Sequence, residues 1–224
     1  MEAIINTTKI PHAGGEFSFQ YPAFEGTYGN VAEQIDKAGL KRPNSSEIAS
    51  LVYDALQNKD GKYKSEIISI LEKNWFWEFT GNFYLPKSDE EINNGVILET
   101  NPKIENGKLV MDKDSLIKRL EKKDSLVKFV SFGFKTGKQT WQELSKNPYI
   151  QARYGEEGAE KIVKVASRYR NNPYIWSFKS VDKEKTSLSV LGRSWDFFGR
   201  LYIVGVDGGD WRGGDEGHAF GVKK

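Results

Sequence analysis

The chain has 224 residues, of which 38% are apolar, 13% aromatic and 29% charged, which excludes a globally disordered polypeptide. It has no cysteine and only two histidines, His12 and His218, which excludes disulfide frameworks, thiolate metal sites, cysteine nucleophiles and multi-histidine zinc centres. A formal net charge of +2 is too small to draw the chain to nucleic acid or membrane by bulk electrostatics alone.

No run approaches the ~18 consecutive apolar residues of a membrane span. The opening segment MEAIINTTKIPHAGG lacks a basic stretch followed by an apolar run, so the expectation is a cytoplasmic protein without a membrane partner. Residues 1–28 are rich in Gly, Pro and aromatics and predict an irregular arm docked on the body, with a short strand over residues 16–21. Three helices are expected over residues 29–73. The first covers 30–38 and ends at Gly39, a residue suited to a left-handed cap. The second starts at a capping box formed by Asn44 and Glu47 and carries Ile48, Leu51, Val52, Ala55 and Leu56 on one face. The third covers 65–73.

From Asn74 the character changes. The run WFWEFTGNFYLP predicts two short strands around a turn at Thr80-Gly81-Asn82. Segments 95–100 and 108–112 flank the Asn106-Gly107 pair, a hairpin signal. A helix capped by Asp112 or Asp114 carries Leu116, Ile117 and Leu120. Residues 127–134 read as a buried strand, 137–146 as a helix broken by Asn147-Pro148, and 156–170 as a longer helix. Strands follow at 174–178, 186–193, 200–206 and 219–223. The pattern predicts an α+β fold, with a helical N-terminal half packed on a mixed or antiparallel sheet formed mainly by the C-terminal half. Residues 1–224 read as one domain: the arm, the helical segment 29–73 and an α+β body over 74–224.

Four segments carry candidate chemistry. Gly133–Thr140 lies between a predicted strand and helix, where amides and a lysine stabilise anions. Lys135, Thr136, Gly137 and Lys138 are the candidate ligand-binding residues, with Lys128 and Lys122 beside them. The spacing departs from the phosphate-loop pattern, and Gln139 stands where that pattern places a hydroxyl. A Thr136–Gln139 capping box would satisfy the same amides. The surrounding excess of Lys118, Arg119, Lys122, Lys123, Lys128, Lys135 and Lys138 over Glu121 and Asp124 suits phosphates, or equally a solvated helix face.

The second segment is the C-terminal Gly/Asp-rich loop. There Asp207, Asp210, Asp215, Glu216 and His218 supply oxygen and nitrogen donors for a divalent cation, although a plain hairpin needs the same Asp-Gly pairs. Trp211 and Arg212 at its tip suit a protein partner. In the third, the helix–helix–helix–hairpin order of residues 30–100 resembles that of a winged helix, but Glu47 and Asp54 on the would-be reading helix suit DNA poorly. In the fourth, the aromatics at 75–84 read as core before they read as a base-stacking platform. The expected function is a non-enzymatic binding or interaction protein with a phosphate- or nucleotide-like ligand, either a small molecule or nucleic acid, at the lysine loop. The alternatives are a metal-dependent hydrolase using the C-terminal loop and a DNA-binding regulator. No cofactor is expected beyond a possible divalent cation at the C-terminal loop.

Overall fold

The computed structural model describes residues 6–58, 62–193, 199–207 and 216–223. Among these, the N-terminal part forms β1 (Asn6–His12), β2 (Gly15–Tyr21), β3 (Phe24–Gly26), α1 (Tyr28–Lys37), α2 (Ser45–Gln57) and α3 (Lys62–Lys73). The middle forms β4 (Trp75–Leu85), β5 (Gly95–Thr100), β6 (Lys103–Glu105), β7 (Lys108–Val110), α4 (Lys113–Glu121), β8 (Val127–Ser131), β9 (Gly137–Lys138), α5 (Trp141–Lys146) and α6 (Pro148–Ala166). The chain continues with β10 (Tyr174–Trp176), β11 (Lys185–Arg193), β12 (Leu201–Asp207) and β13 (Gly217–Ala219).

A nine-stranded mixed sheet runs β3-β13-β4-β11-β12-β10-β9, with β5 branching from β4 and β8 from β5. The expected helical N-terminal half on a C-terminal sheet is therefore corrected. Strands are spread through the chain, and β3, β4 and β5 from its first half belong to the main sheet. The irregular arm is likewise replaced by the antiparallel β1–β2 hairpin. The two short strands around Gly81 are one continuous strand, β4. Gly81 makes no turn; a Cβ there would meet Met111 Sδ at 2.6 Å, so the missing side chain makes room for a neighbour packed on the strand.

Helix starts follow local chemistry. Asn44 and Glu47 form the expected capping box of α2, and Asp112 caps α4. Asn147-Pro148 ends α5, whose C-cap is Asn147, as expected, and the same pair starts the next helix. Asn147 is the N-cap of α6 and Pro148 its first residue, the helical position where a missing N–H costs nothing. Helix α6 kinks at Gly155, whose φ of 71° is left-handed.

Alternation along β4, β11 and β12 divides the core between the two sheet faces. On one face Phe76, Tyr84, Leu191 and Ile203 pack with α2, α3 and α6. On the other, Trp77, Phe79, Val190, Tyr202 and Val204 pack with α1. At the heart of the first face lies a fully buried ion pair, Glu78–Arg153, at 2.5 Å. The carboxylate also accepts from Ser45 Oγ at 2.8 Å and Tyr154 OH at 3.0 Å. The guanidinium donates to the carbonyls of Val204 at 3.0 Å and Val190 at 3.1 Å. Burial works against the charged guanidinium, but the Glu78 charge outweighs it and holds the Arg153 pKa above its ordinary value.

The tail closes onto the start. Gln20 N–H donates to Gly221 O and Lys223 N–H to Ser18 O, each at 2.8 Å, while Lys41 and Val222 exchange two backbone bonds. No helix of the described residues is long and apolar enough to cross a membrane.

Candidate functional site

The register of five strands places one row of residues on a single sheet face: Lys138 opposite Tyr174, Tyr174 opposite Tyr202, Tyr202 opposite Gly192, and Gly192 opposite Trp75. Residues directly opposed across strands share a face and touch. Two positions on, the next row holds Trp176, Val204, Val190 and Trp77. Valines and Trp77 in that row are buried, whereas Trp176 at the sheet margin is 49% exposed. Helix α1 packs toward β3 and β13, at the other end of this face.

The rings of the row stack against one another. Tyr174 and Tyr202 have centroids 5.7 Å apart and planes at 27°, and Tyr174 and Trp176 lie 5.2 Å apart at 40°. Tyr202 is buried and Tyr174 half-buried, so of these three rings Trp176 is the one largely exposed. Gly192 sits under Trp75; a Cβ on it would lie 2.6 Å from that ring and 2.8 Å from Asn74 O. Exposed Lys138 closes the row at the edge strand β9. The Arg153 network holds the carbonyls of Val190 and Val204 from beneath, so the strands carrying this aromatic ladder are braced from the opposite face.

The residues expected at an anion site part company. Lys138 joins the ladder. Lys135 pairs with Glu143 at 2.6 Å, beside an open groove of about 690 Å³ that Lys146 also lines. Helix α5 is capped by Thr140 and Glu143, not by Thr136 and Gln139. Gln139 is fully buried and donates to the carbonyls of Lys135 and Gly137 at 3.2 Å, which fixes the loop from inside. Lys128 lies exposed on β8, and Lys122 is the exposed C-cap of α4. An anion entering the groove has to displace Glu143 from Lys135.

That pair makes a pH prediction. The Lys135 ammonium first, and then the Thr140 N–H, hold the Glu143 carboxyl down to about 2, against an ordinary 4.5. A depressed carboxyl stabilises the fold above its unfolded pKa, and that stability is lost as pH falls toward the folded one. Glu143→Gln is therefore expected to flatten the acid limb of a melting-temperature profile between pH 4.5 and about 2. A variant profile parallel to wild type throughout that window would count against the pairing.

Of the expected metal ligands, Asp210 and Asp215 lie outside the described residues, as do Trp211 and Arg212. Asp207 ends β12 and Glu216 is exposed. His218 is 9% exposed on β13, with Nε2 3.6 Å from Glu25. Among the described residues no three His, Asp or Glu side chains converge on a point fit for a metal. Helix α2, the would-be reading helix, is buried over most of its length between α3, α6 and the sheet, which leaves it no face for a DNA groove.

The ladder escaped the sequence reading because its members come from distant segments. One signal was present: Tyr174 and Trp176 flank Ile175 on a three-residue strand, so the alternation that buries Ile175 turns both aromatics to the opposite face.

No known family matches the chain, and no curated protein does. Among solved structures, the chain is similar to one from Nanoarchaeota described as "Accommodation of massive sequence variation in Nanoarchaeota by the C-type lectin fold". The likeness covers 90% of this chain and 97% of that one, with a TM-score of 0.56 and 17% identity. The fold is thus that of the C-type lectins, which replaces the helix-first α+β arrangement expected from sequence.

Proposed function

We propose that this chain is a non-enzymatic binding protein that uses the C-type lectin fold as a scaffold and meets a protein partner through the Trp75–Tyr202–Tyr174–Trp176 ladder. The observation that carries the reading is Trp176, a large aromatic 49% exposed and set against a stacked tyrosine pair. Tryptophan and tyrosine are enriched among the residues that dominate interface energetics. With Tyr202 buried and Tyr174 half-buried, little ring face is left for the stacking that a sugar or nucleobase needs, which favours a protein. The similar structure is described as one whose fold accommodates massive sequence variation. Carried over to this chain, that supports a division between a braced interior and surface side chains the interior does not require.

The test is affinity capture with cross-linking from cells that express the chain, comparing wild type, Trp176→Ala and a control, Leu126→Ala, at another exposed apolar residue. Trp176→Ala is expected to weaken the captured partner's affinity by about 2 kcal/mol, roughly thirtyfold, with Leu126→Ala unchanged. Equal recovery by all three proteins rejects the reading.

A second reading, an anionic ligand at the lysine loop, is supported by the groove that Lys135 and Lys146 share. It requires Glu143 to move, so Glu143→Gln would strengthen binding of a nucleotide titrated at low salt. Weaker or unchanged binding in that variant counts against it.

A further inference from the structure

Strand β8 ends the branch of the sheet that leaves β4 through β5. Its bonding phase is set by two flanking contacts, Thr100 N–H to Leu126 O and Phe132 N–H to Asn94 O, both 2.8 Å. Antiparallel pairs alternate, so Lys128 and Val130 bond inward to β5. Phe129 and Ser131 turn their N–H and C=O groups to the outer edge. None of the described residues bonds to those outward groups. An unpaired edge of this kind is a template for another strand.

The edge is not bare surface. A groove of about 650 Å³ runs along it, with Leu120 of α4 on one side, Pro148 and Ala152 of α6 on the other, and Phe129 and Val130 in its floor. Apolar walls flank a line of free backbone donors and acceptors, the arrangement that strand addition uses.

The local charge selects the occupant. Lys118, Lys122, Lys123 and Lys128 are all exposed, and no ion pair among the described residues engages them, whereas Arg119 is matched by Glu99 and Asp124. Glu121 and Asp114, the latter one turn before Lys118, are the acids of α4 left to offset the four. Lys128 lines both the groove and a recess of about 150 Å³ beside it, which Ser46, Thr100 and Ser125 also line. The recess therefore offers hydroxyls and an ammonium to a carboxylate.

We propose that β8 receives an extended acidic peptide as an added strand. The peptide backbone pairs with Phe129 and Ser131, its carboxylates meet Lys128 and the lysines at the end of α4, and its apolar residues enter the groove. The proposal is independent of the aromatic ladder, which belongs to the other end of the sheet.

The test uses a short fluorescein-labelled peptide of alternating Glu and Val, read by anisotropy at low salt. Three comparisons accompany it: the same peptide with Lys for Glu, the acidic peptide N-methylated on alternate backbone nitrogens, and the variant Lys122→Glu/Lys128→Glu. The acidic peptide is expected to bind. Each comparison should weaken binding about tenfold or more, and peptide should slow amide exchange at Phe129 and Ser131. Trp176→Ala should bind the peptide as wild type does, which separates this result from the fate of the ladder. No binding overturns the proposal. So does equal binding of the N-methylated peptide, or binding without protection of those two amides, since either means that acid merely condenses on lysines.

Discussion

Replacing Arg153 with Met is expected to lower the free energy of unfolding by about 3–5 kcal/mol, because it strands a buried carboxylate. In wild type Glu78 and Arg153 are both fully buried, so water solvates neither side chain. Met fills much of the space of the arginine stem but returns no donor to Glu78. The carbonyls of Val190 and Val204 also lose the guanidinium N–H groups that reach them. Native domains are stable by only about 5–15 kcal/mol, so this one substitution removes a large share of the total. Denaturant unfolding checks it, and a variant within about 1 kcal/mol of wild type would show that the network is far less important than its burial implies. A double variant, Glu78→Leu/Arg153→Met, removes the stranded charge as well and should recover part of the loss.

The second large effect is expected at Gly192. A Cβ built there meets the Trp75 ring at 2.6 Å and the Asn74 carbonyl at 2.8 Å. The ring can swing aside, but the carbonyl belongs to the chain entering β4 and cannot move without disturbing the strand. Gly192→Ala should therefore cost about 1–3 kcal/mol, the usual range for overpacking. It should also lift Trp75 from its seat over Gly192, altering the near-ultraviolet circular dichroism and weakening any partner held by the ladder. An alanine variant with wild-type stability and an unchanged aromatic spectrum would mean that the close approach is not what holds Trp75 in place.

What could be read in advance was what neighbours in sequence decide. The Asn44–Glu47 box and the Asp112 cap are contacts three residues long, and both stand in the structure. Failures came where one residue type serves two ends. Gly81 was taken for a turn, but it clears space for Met111. Asn147-Pro148 does end α5 as expected, but the pair also opens α6, which the expectation of a helix only from residue 156 leaves out. The β1–β2 hairpin turns through Ala13, at φ 48°, before Gly14, at φ 76°. Alanine is seldom found in that left-handed region, so the turn carried a weak signal and the arm looked irregular. The candidate site was less legible still. Lys138 stands out in the sequence for its charge, but its cross-strand neighbour is Tyr174, brought to it by a pairing between remote segments. Even the basic cluster, visible as a composition, gave no sign that Glu143 and Glu99 claim two of its members while the other five enter no ion pair among the described residues.

The stitching of residues 18–20 to residues 221–223 has a kinetic side. Closing so long a loop costs little more than closing a short one, since the entropy grows only with the logarithm of length. Equilibrium stability is hardly taxed by it. Speed is another matter, because chains dominated by non-local pairings fold orders of magnitude more slowly than those built from local ones. The β1–β2 hairpin can form early and meet α2, to which His12 bonds through Ser50, yet β2 lacks its second set of backbone partners until residues 221–223 arrive. Stopped-flow refolding should therefore show the pairing of β2 with residues 221–223 among the last events, and deletion of those residues should speed amide exchange at Gln20 while leaving the Glu78–Arg153 centre to assemble.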